Sequence, residues 1–259
     1  SAVNLWVSDQ AQAEATYGHI SAWDVSAVTN MLQLFLNQST FNDDIGNWDV
    51  SNVTNMQQMF VGASIFNQDL NDWDVSNVTN FDWMFQSNYE FNQDMSGWDV
   101  SNSTINGMFA YASIFTGQGL EDWDVSTVTG MQRLFEGANE FNGDLSGWDV
   151  SNITDMNQMF RYSNVFNQDI SGWDVSNVTS FKRTFDNAHD FNADISGWDV
   201  SSATDLAWTF LNAYDFNQDI SGWDVSNVTR FTDMFSNANS LSDENKCAIH
   251  TSFSEQNEN

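Results

Sequence analysis

The chain has 259 residues, enough for a large buried core or two ordinary domains, and acidic residues outnumber basic ones 36 to 6, for a formal charge of −30. That balance leaves no basic footprint for nucleic acid and opposes an anionic membrane surface, while cations, basic partners and neutral surfaces stay open. Aromatic residues at 15% are too many for a disordered acidic chain, the single Cys247 allows no internal disulfide, and no stretch approaches the ~20 apolar residues of a membrane span.

In chain order, the start Ser1-Ala2-Val3-Asn4 carries no charged and then apolar run, so no signal peptide is expected there. Ser8 is placed to cap a helix running from Asp9 to Tyr17, with Gly18 as its stop. Tryptophans then fall at 23, 48, 73, 98, 123, 148, 173, 198 and 223, a spacing of 25 throughout. A period of that length signals a stacked repeat architecture, in which each unit contacts only its neighbours.

Two patterns coexist in each unit. Ile170, Trp173 and Val175 alternate with Asp174 and Ser176, which predicts a short strand. In the second unit Val53, Met56, Met59, Phe60 and Ala63 follow the spacing of one helical face. The expected fold is therefore a right-handed repeat solenoid. Each coil would hold one short parallel strand, stacked at about 4.8 Å, and one or two helical turns. The columns of Trp, Val, Met and Phe (Phe35, Phe60, Phe85, Phe135 and their successors) form its core. The recurring Asn42, Asn67, Asn92, Asn142, Asn167, Asn192 and Asn217 suit side-chain bonding to turn backbone. One coil is irregular: Met108-Phe109 arrives a residue early, Phe115 to Trp123 is a residue long, and Gly119 stands where other coils have Asp. At the far end Ser242 caps a helix with Asp243 and Glu244 in its first turn, and the chain after Ser254 reads as frayed. The division expected is a helical cap over 1–20, nine coils over 21–240, and a capping helix with tail over 241–259.

The unit Phe166-Asn-Gln-Asp-Ile-Ser-Gly-Trp173-Asp-Val-Ser-Asn-Val-Thr179 resembles the repeat of the DUF285 family of BspA-like surface proteins, related to leucine-rich repeats. The opening Leu5-Trp-Val-Ser-Asp9 and the closing Leu241-Ser-Asp-Glu-Asn-Lys-Cys-Ala-Ile-His250 resemble that family's ends. Ile170, Trp173 and Val175 occupy the leucine positions of the related pattern, and Val178 stands where it has Asn. The resemblance implies an extracellular or cell-surface protein engaged in adhesion, and it brings no catalytic motif.

The outward columns carry the functional expectation. Asp24, Asp49, Asp74, Asp99, Asp124, Asp149, Asp174, Asp199 and Asp224 follow every repeat tryptophan, and Ser51, Ser76, Ser101, Ser126, Ser151 and Ser176 lie two residues beyond the Asp of their coils. Carboxylates ~5 Å apart repel by roughly 0.8 kcal/mol in water, so a recurring column needs an offset. Three are open: hydrogen bonds within the turn, Ca²⁺ bound along the Asp ladders, or a partner. Thr29, Thr54 and their successors are placed to cap the helical turns, or to form a hydroxyl ladder matching ice. The Asn-x-Thr triplets, as at Asn52 and Asn152, fit glycosylation acceptors but follow from the repeat itself. His19, His189 and His250 lie in different registers and compose neither a triad nor a zinc set. The reading is a non-catalytic module presenting an acidic Asp/Ser face to a protein or glycan, with no cofactor required. Ice or mineral binding and a structural spacer in a larger adhesin are the alternatives. Oligomeric state and ligand identity stay open.

Overall fold

Two kinds of backbone hydrogen bond build the molecule: turns closed on the residue three back, and bonds, mostly between residues 24 or 25 apart, that join neighbouring coils. In the computed structural model, which describes residues 2–257, Met156, Gln158, Phe160 and Tyr162 donate their N–H groups to Ser180, Lys182, Thr184 and Asp186 of the next coil at 2.9–3.0 Å. The N–H groups between them turn inward. Met159, Arg161 and Ser163 donate to the carbonyls three residues back, Met156, Gln158 and Phe160. Neighbouring residues thus alternate between bonding the next coil and closing a turn, which leaves few buried backbone groups unpaired. The rest of the coil is also built of turns, at Ile170–Trp173 and Val175–Val178, and Thr179 N–H binds the Thr154 carbonyl 25 residues back.

This corrects the expected β/α solenoid. Among the described residues there is no named strand and no sheet, and α-helix is confined to the two ends. Parallel pairing survives only as isolated bridges such as Asn55↔Asn80 and Asp205↔Arg230. The predicted helical turns fail for a local reason. Gln158 and Tyr162 have φ of 59° and 61°, and Arg183 and Asn187 have 59° and 60°. A left-handed residue every fourth position breaks the run of right-handed residues that an i→i−4 ladder needs. The residues read as one helical face are nonetheless the buried ones: Met56, Met59, Phe60 and Ala63 are all sealed in the core. Burial at i, i+3 and i+4 arises here from successive tight turns.

Packing follows columns. Phe35, Phe60, Phe85 and Phe109 stack with ring centroids 5.3–5.8 Å apart, and each also lies about 4 Å from the second phenylalanine of its own coil, as Phe60 does from Phe66. The tryptophans form a third column, with Trp123–Trp148 and Trp173–Trp198 parallel at 6.4 and 6.5 Å. From Trp48 to Trp223 each repeat indole N–H donates to a carbonyl 28 residues back. Trp148 reaches Leu120 at 2.8 Å, Trp173 reaches Leu145 at 3.0 Å, and Trp198 reaches Ile170 at 3.1 Å. That carbonyl also accepts the Trp N–H of its own coil, as Leu120 does from Trp123, so both lone pairs are used.

The ends depart from the repeat. Helices α1 (Ala2–Ser8) and α2 (Gln10–Tyr17) bury Val3, Trp6 and Ala13 at the first coil. The cap of α2 is Asp9, which accepts from Gln12 N–H, and not Ser8, whose hydroxyl instead donates to the Leu5 carbonyl within α1. Gly18 ends α2 with φ 75°. Helix α3 (Asp243–Gln256) is capped by Ser242, and its Gln256 amide donates to the Trp223 carbonyl. The helix runs past Ser254 to Gln256, so the expected fraying does not begin at Ser254; the part of that expectation falling on residues 258 and 259 lies outside the described residues. The irregular coil repairs itself. Phe81, Trp83 and Phe85 pair with residues only 23 ahead, and the added residue is absorbed at Gly119, in the left-handed region at φ 85°. A Cβ on Gly119 would strike the Asp94 turn, which explains why Asp is absent at this position.

The indole bond gives a direct test. Trp148→Phe should lower the unfolding free energy by about 2 kcal/mol, from one lost buried hydrogen bond and the volume of half an indole. Trp23→Phe, whose indole donates to Gly18 in an exposed setting, should cost clearly less. Urea denaturation of both variants measures the difference.

Candidate functional site

All nine aspartates that follow the tryptophans are exposed, and the alternation around each tryptophan sends them outward. Each accepts the backbone N–H of the serine two residues on, at 2.9–3.2 Å. The hydroxyls of Ser26, Ser51, Ser76 and Ser126 donate to the same Oδ1 at 2.6 Å. The Asp-Val-Ser spacing therefore closes an Asx turn in every coil. These bonds hold the Asp74, Asp124 and Asp174 carboxyls below the ordinary carboxylate range, the serine hydroxyl contributing most and its N–H next. At Asp174 the neighbouring Asp149 and Asp199 oppose the effect as its smallest causes. Of the three offsets, the turn is the one the geometry displays. Among the described residues no three His, Cys, Asp or Glu side chains gather as a metal would require.

The other columns are structural as well. Asn42, Asn67, Asn142 and Asn167 accept the N–H of the residue 25 ahead at 2.8–3.0 Å, so the asparagines do form a ladder. Thr54, Thr79, Thr179, Thr204 and Thr229 donate their hydroxyls to the threonine carbonyl one coil back, so they cap no helix. Asn52, Asn77, Asn152, Asn177 and Asn227, at the Asn-x-Thr triplets, spend their amides on serine carbonyls 26 residues back.

One region breaks the monotony and was not singled out from sequence. Four of the six basic residues, read only as scarce, gather in neighbouring coils: Arg133, Arg161, Lys182 and Arg183. Arg161 bridges two buried carboxylates in the coils either side, with Nη1 2.9 Å from Glu136 Oε1 and Nε 3.1 Å from Asp186 Oδ2. Arg183 adds a 2.7 Å bond to Asp186 Oδ2. Tyr111 donates its hydroxyl to Glu136 Oε1 at 3.0 Å, and burial, then the adjacent Glu136 charge, push its phenol up, keeping it a donor. Guanidinium groups lie over rings: Arg161 over Tyr162 at 4.5 Å and Arg183 over Trp208 at 4.6 Å. The available signal was that Trp83, Arg133, Arg183 and Trp208 occupy the column that holds Gln in the regular coils Gln33, Gln58 and Gln158.

Columns of identical side chains, joined coil to coil and closed by helices, define a tandem-repeat protein. The chain belongs to the DUF285 family, described as a Mycoplasma protein of unknown function, whose model matches residues 7–118, 103–206 and 170–256. No curated protein matches it.

The Asx turns predict a pH signature. A carboxyl whose folded pKa is depressed contributes stability above its unfolded value, near 3.9, and loses it as pH falls through the depressed value. Replacing Ser76 and Ser126 by Ala should therefore lower the Tm by about 1–2 °C at pH 6. The gap to the parent should close as pH falls below about 4. Thermal melts of both proteins, taken from pH 6 downward through the carboxylate range, test this.

Proposed function

We propose that this protein is a non-catalytic binding module, acting outside the cell or on its surface, which offers its acidic column to a protein or glycan partner. The observation that carries the reading is the exposure of nine aspartates in one register, each holding its turn through Oδ1. The second oxygen of Asp124, Asp149 or Asp174 is free of any such turn bond. A partner touching several coils at once gains from repetition even where each contact is weak. The assignment to the cell surface rests on the resemblance of the repeat to surface-protein repeats, and the charge of −30 favours cationic counterparts.

The turn geometry selects the right variant. Asn at 124, 149 and 174 keeps the side-chain acceptor that the serine N–H needs and removes three charges. On an array of glycans and matrix proteins, the triple Asp→Asn variant should bind about tenfold more weakly than the parent, a loss of roughly 1.4 kcal/mol, with its Tm little changed. Equal binding by parent and variant would remove the acidic column from the interface. A parent that finds no ligand on the array would leave the spacer reading in its place.

A further inference from the structure

The last coil ends the ladder with its donors open. In the coil before it, the N–H groups of Leu206, Trp208, Phe210 and Asn212 meet the carbonyls of Arg230, Thr232, Met234 and Ser236 at 2.8–2.9 Å. After Leu241 the chain turns into α3 rather than a further coil. The equivalent N–H groups of Phe231, Asp233, Phe235 and Asn237 therefore meet no acceptor among the described residues. Those between them, on Met234, Ser236 and Ala238, still close their own turns.

Helix α3 serves only the other half of this end. Its Ser252 hydroxyl and Gln256 amide donate to the Ser221 and Trp223 carbonyls, and Gln256 Oε1 accepts the Val225 N–H. Between α3 and the open turns lies a groove of about 810 Å³, whose apolar lining is Phe231, Met234, Phe235, Leu241, Ile249 and Phe253. Phe231 and Phe235 are only half-buried there. Their counterparts in the other coils, from Met31 to Leu206 and from Phe35 to Phe210, are sealed.

We propose that this groove captures an extended segment of a partner protein, which adds itself to the open edge as a further half-coil. Main-chain donors at every second residue, set along an apolar wall, are the two components of recognition by edge addition. A lipid chain would use the wall and leave the donors unmet; a polyanion would use the donors and leave the wall exposed. The inner coils display the fit. There each open edge is met by alternate carbonyls of the next coil, and the next phenylalanine stacks on the last, as Phe235 does on Phe210 at 5.6 Å. The segment captured thus carries large apolar side chains at the spacing of Met56, Met59 and Phe60. A second copy of this chain fits poorly. Its unpaired carbonyls of this register, on Asn30, Leu32 and Leu34, lie at the first coil, where α1 and α2 stand. Against α3 these would hold the two coils roughly two helix diameters, about 20 Å, apart. The groove lies at the end of the stack, separate from the Asp column, and does not rest on that reading.

The test uses the full chain and a synthetic peptide of its own residues 53–64, Val-Thr-Asn-Met-Gln-Gln-Met-Phe-Val-Gly-Ala-Ser, which is uncharged. Binding is followed by residue-resolved amide hydrogen exchange. Saturating peptide should slow exchange at Asp233 and Phe235 by at least about tenfold, a difference of roughly 1.4 kcal/mol in opening free energy. A control peptide with Ser in place of Met56, Met59 and Phe60 should bind at least about tenfold more weakly. Ser254→Trp, at an exposed position lining the groove, should weaken peptide binding by about tenfold with the Tm unchanged. The proposal is overturned by no binding at about 1 mM peptide, a weak limit on the affinity scale. Binding without slowed exchange at those two amides, equal binding of the control peptide, or equal binding by the folded Ser254→Trp variant would overturn it too. So would self-association of the chain in sedimentation that Ser254→Trp abolishes, which would make a second copy the occupant.

Discussion

The molecule depends on one alternation: along half of each coil, every second backbone N–H belongs to the next coil and every other one belongs to its own. Because Met156, Gln158, Phe160 and Tyr162 bond forward while Met159, Arg161 and Ser163 bond back, no coil is satisfied alone. Stability is then a property of neighbours rather than of units, as expected for a quasi-one-dimensional stack. The indole bonds add a second tie in the same direction. They anchor the largest side chain of each coil to a carbonyl of the previous one, which keeps a polar N–H from being stranded in an aromatic core.

Most of the core was legible in the sequence, because burial imposes a simple filter at fixed spacing. Trp148, Phe160 and Val175 are buried for the reason that made them stand out: apolar residues at the same place in every unit. The local conformation was not legible. Met56, Met59, Phe60 and Ala63 satisfy a helical template equally well whether they lie on a helix or on successive i→i+3 turns. What separates the two is the positive φ at Gln58 and at Gly62. Only Gly62 advertises such a conformation; Gln58, like Arg183 and Tyr162, gives no warning, since these residues adopt it at a cost of about 1–2 kcal/mol and only under tertiary constraint.

The candidate site shows the same division. Exposure of the aspartates followed from period two around each tryptophan, and their serine partners from the Asp-Val-Ser spacing. The arginine face did not emerge, because a repeat draws attention to what recurs. Glu136, Arg161 and Asp186 share a column whose counterparts include Leu36, Val61 and Leu211, so each looked like local drift. Only stacking makes them consecutive, with Arg161 bridging two buried carboxylates that Arg133 and Arg183 also flank.

The left-handed positions have one more consequence. The residues found there include Gln33, Trp83, Arg133, Tyr162, Trp208 and Asp233, and no Val, Ile or Thr appears among them. The backbone at these points rejects β-branched side chains yet accepts a wide range of size, charge and aromaticity. Every coil therefore carries sockets whose contents can change without disturbing the interior, much as hypervariable loops vary on a constant frame. Diversification of such a chain can proceed by single substitutions along a fixed grid, each new side chain arriving at a predetermined height and orientation on the surface.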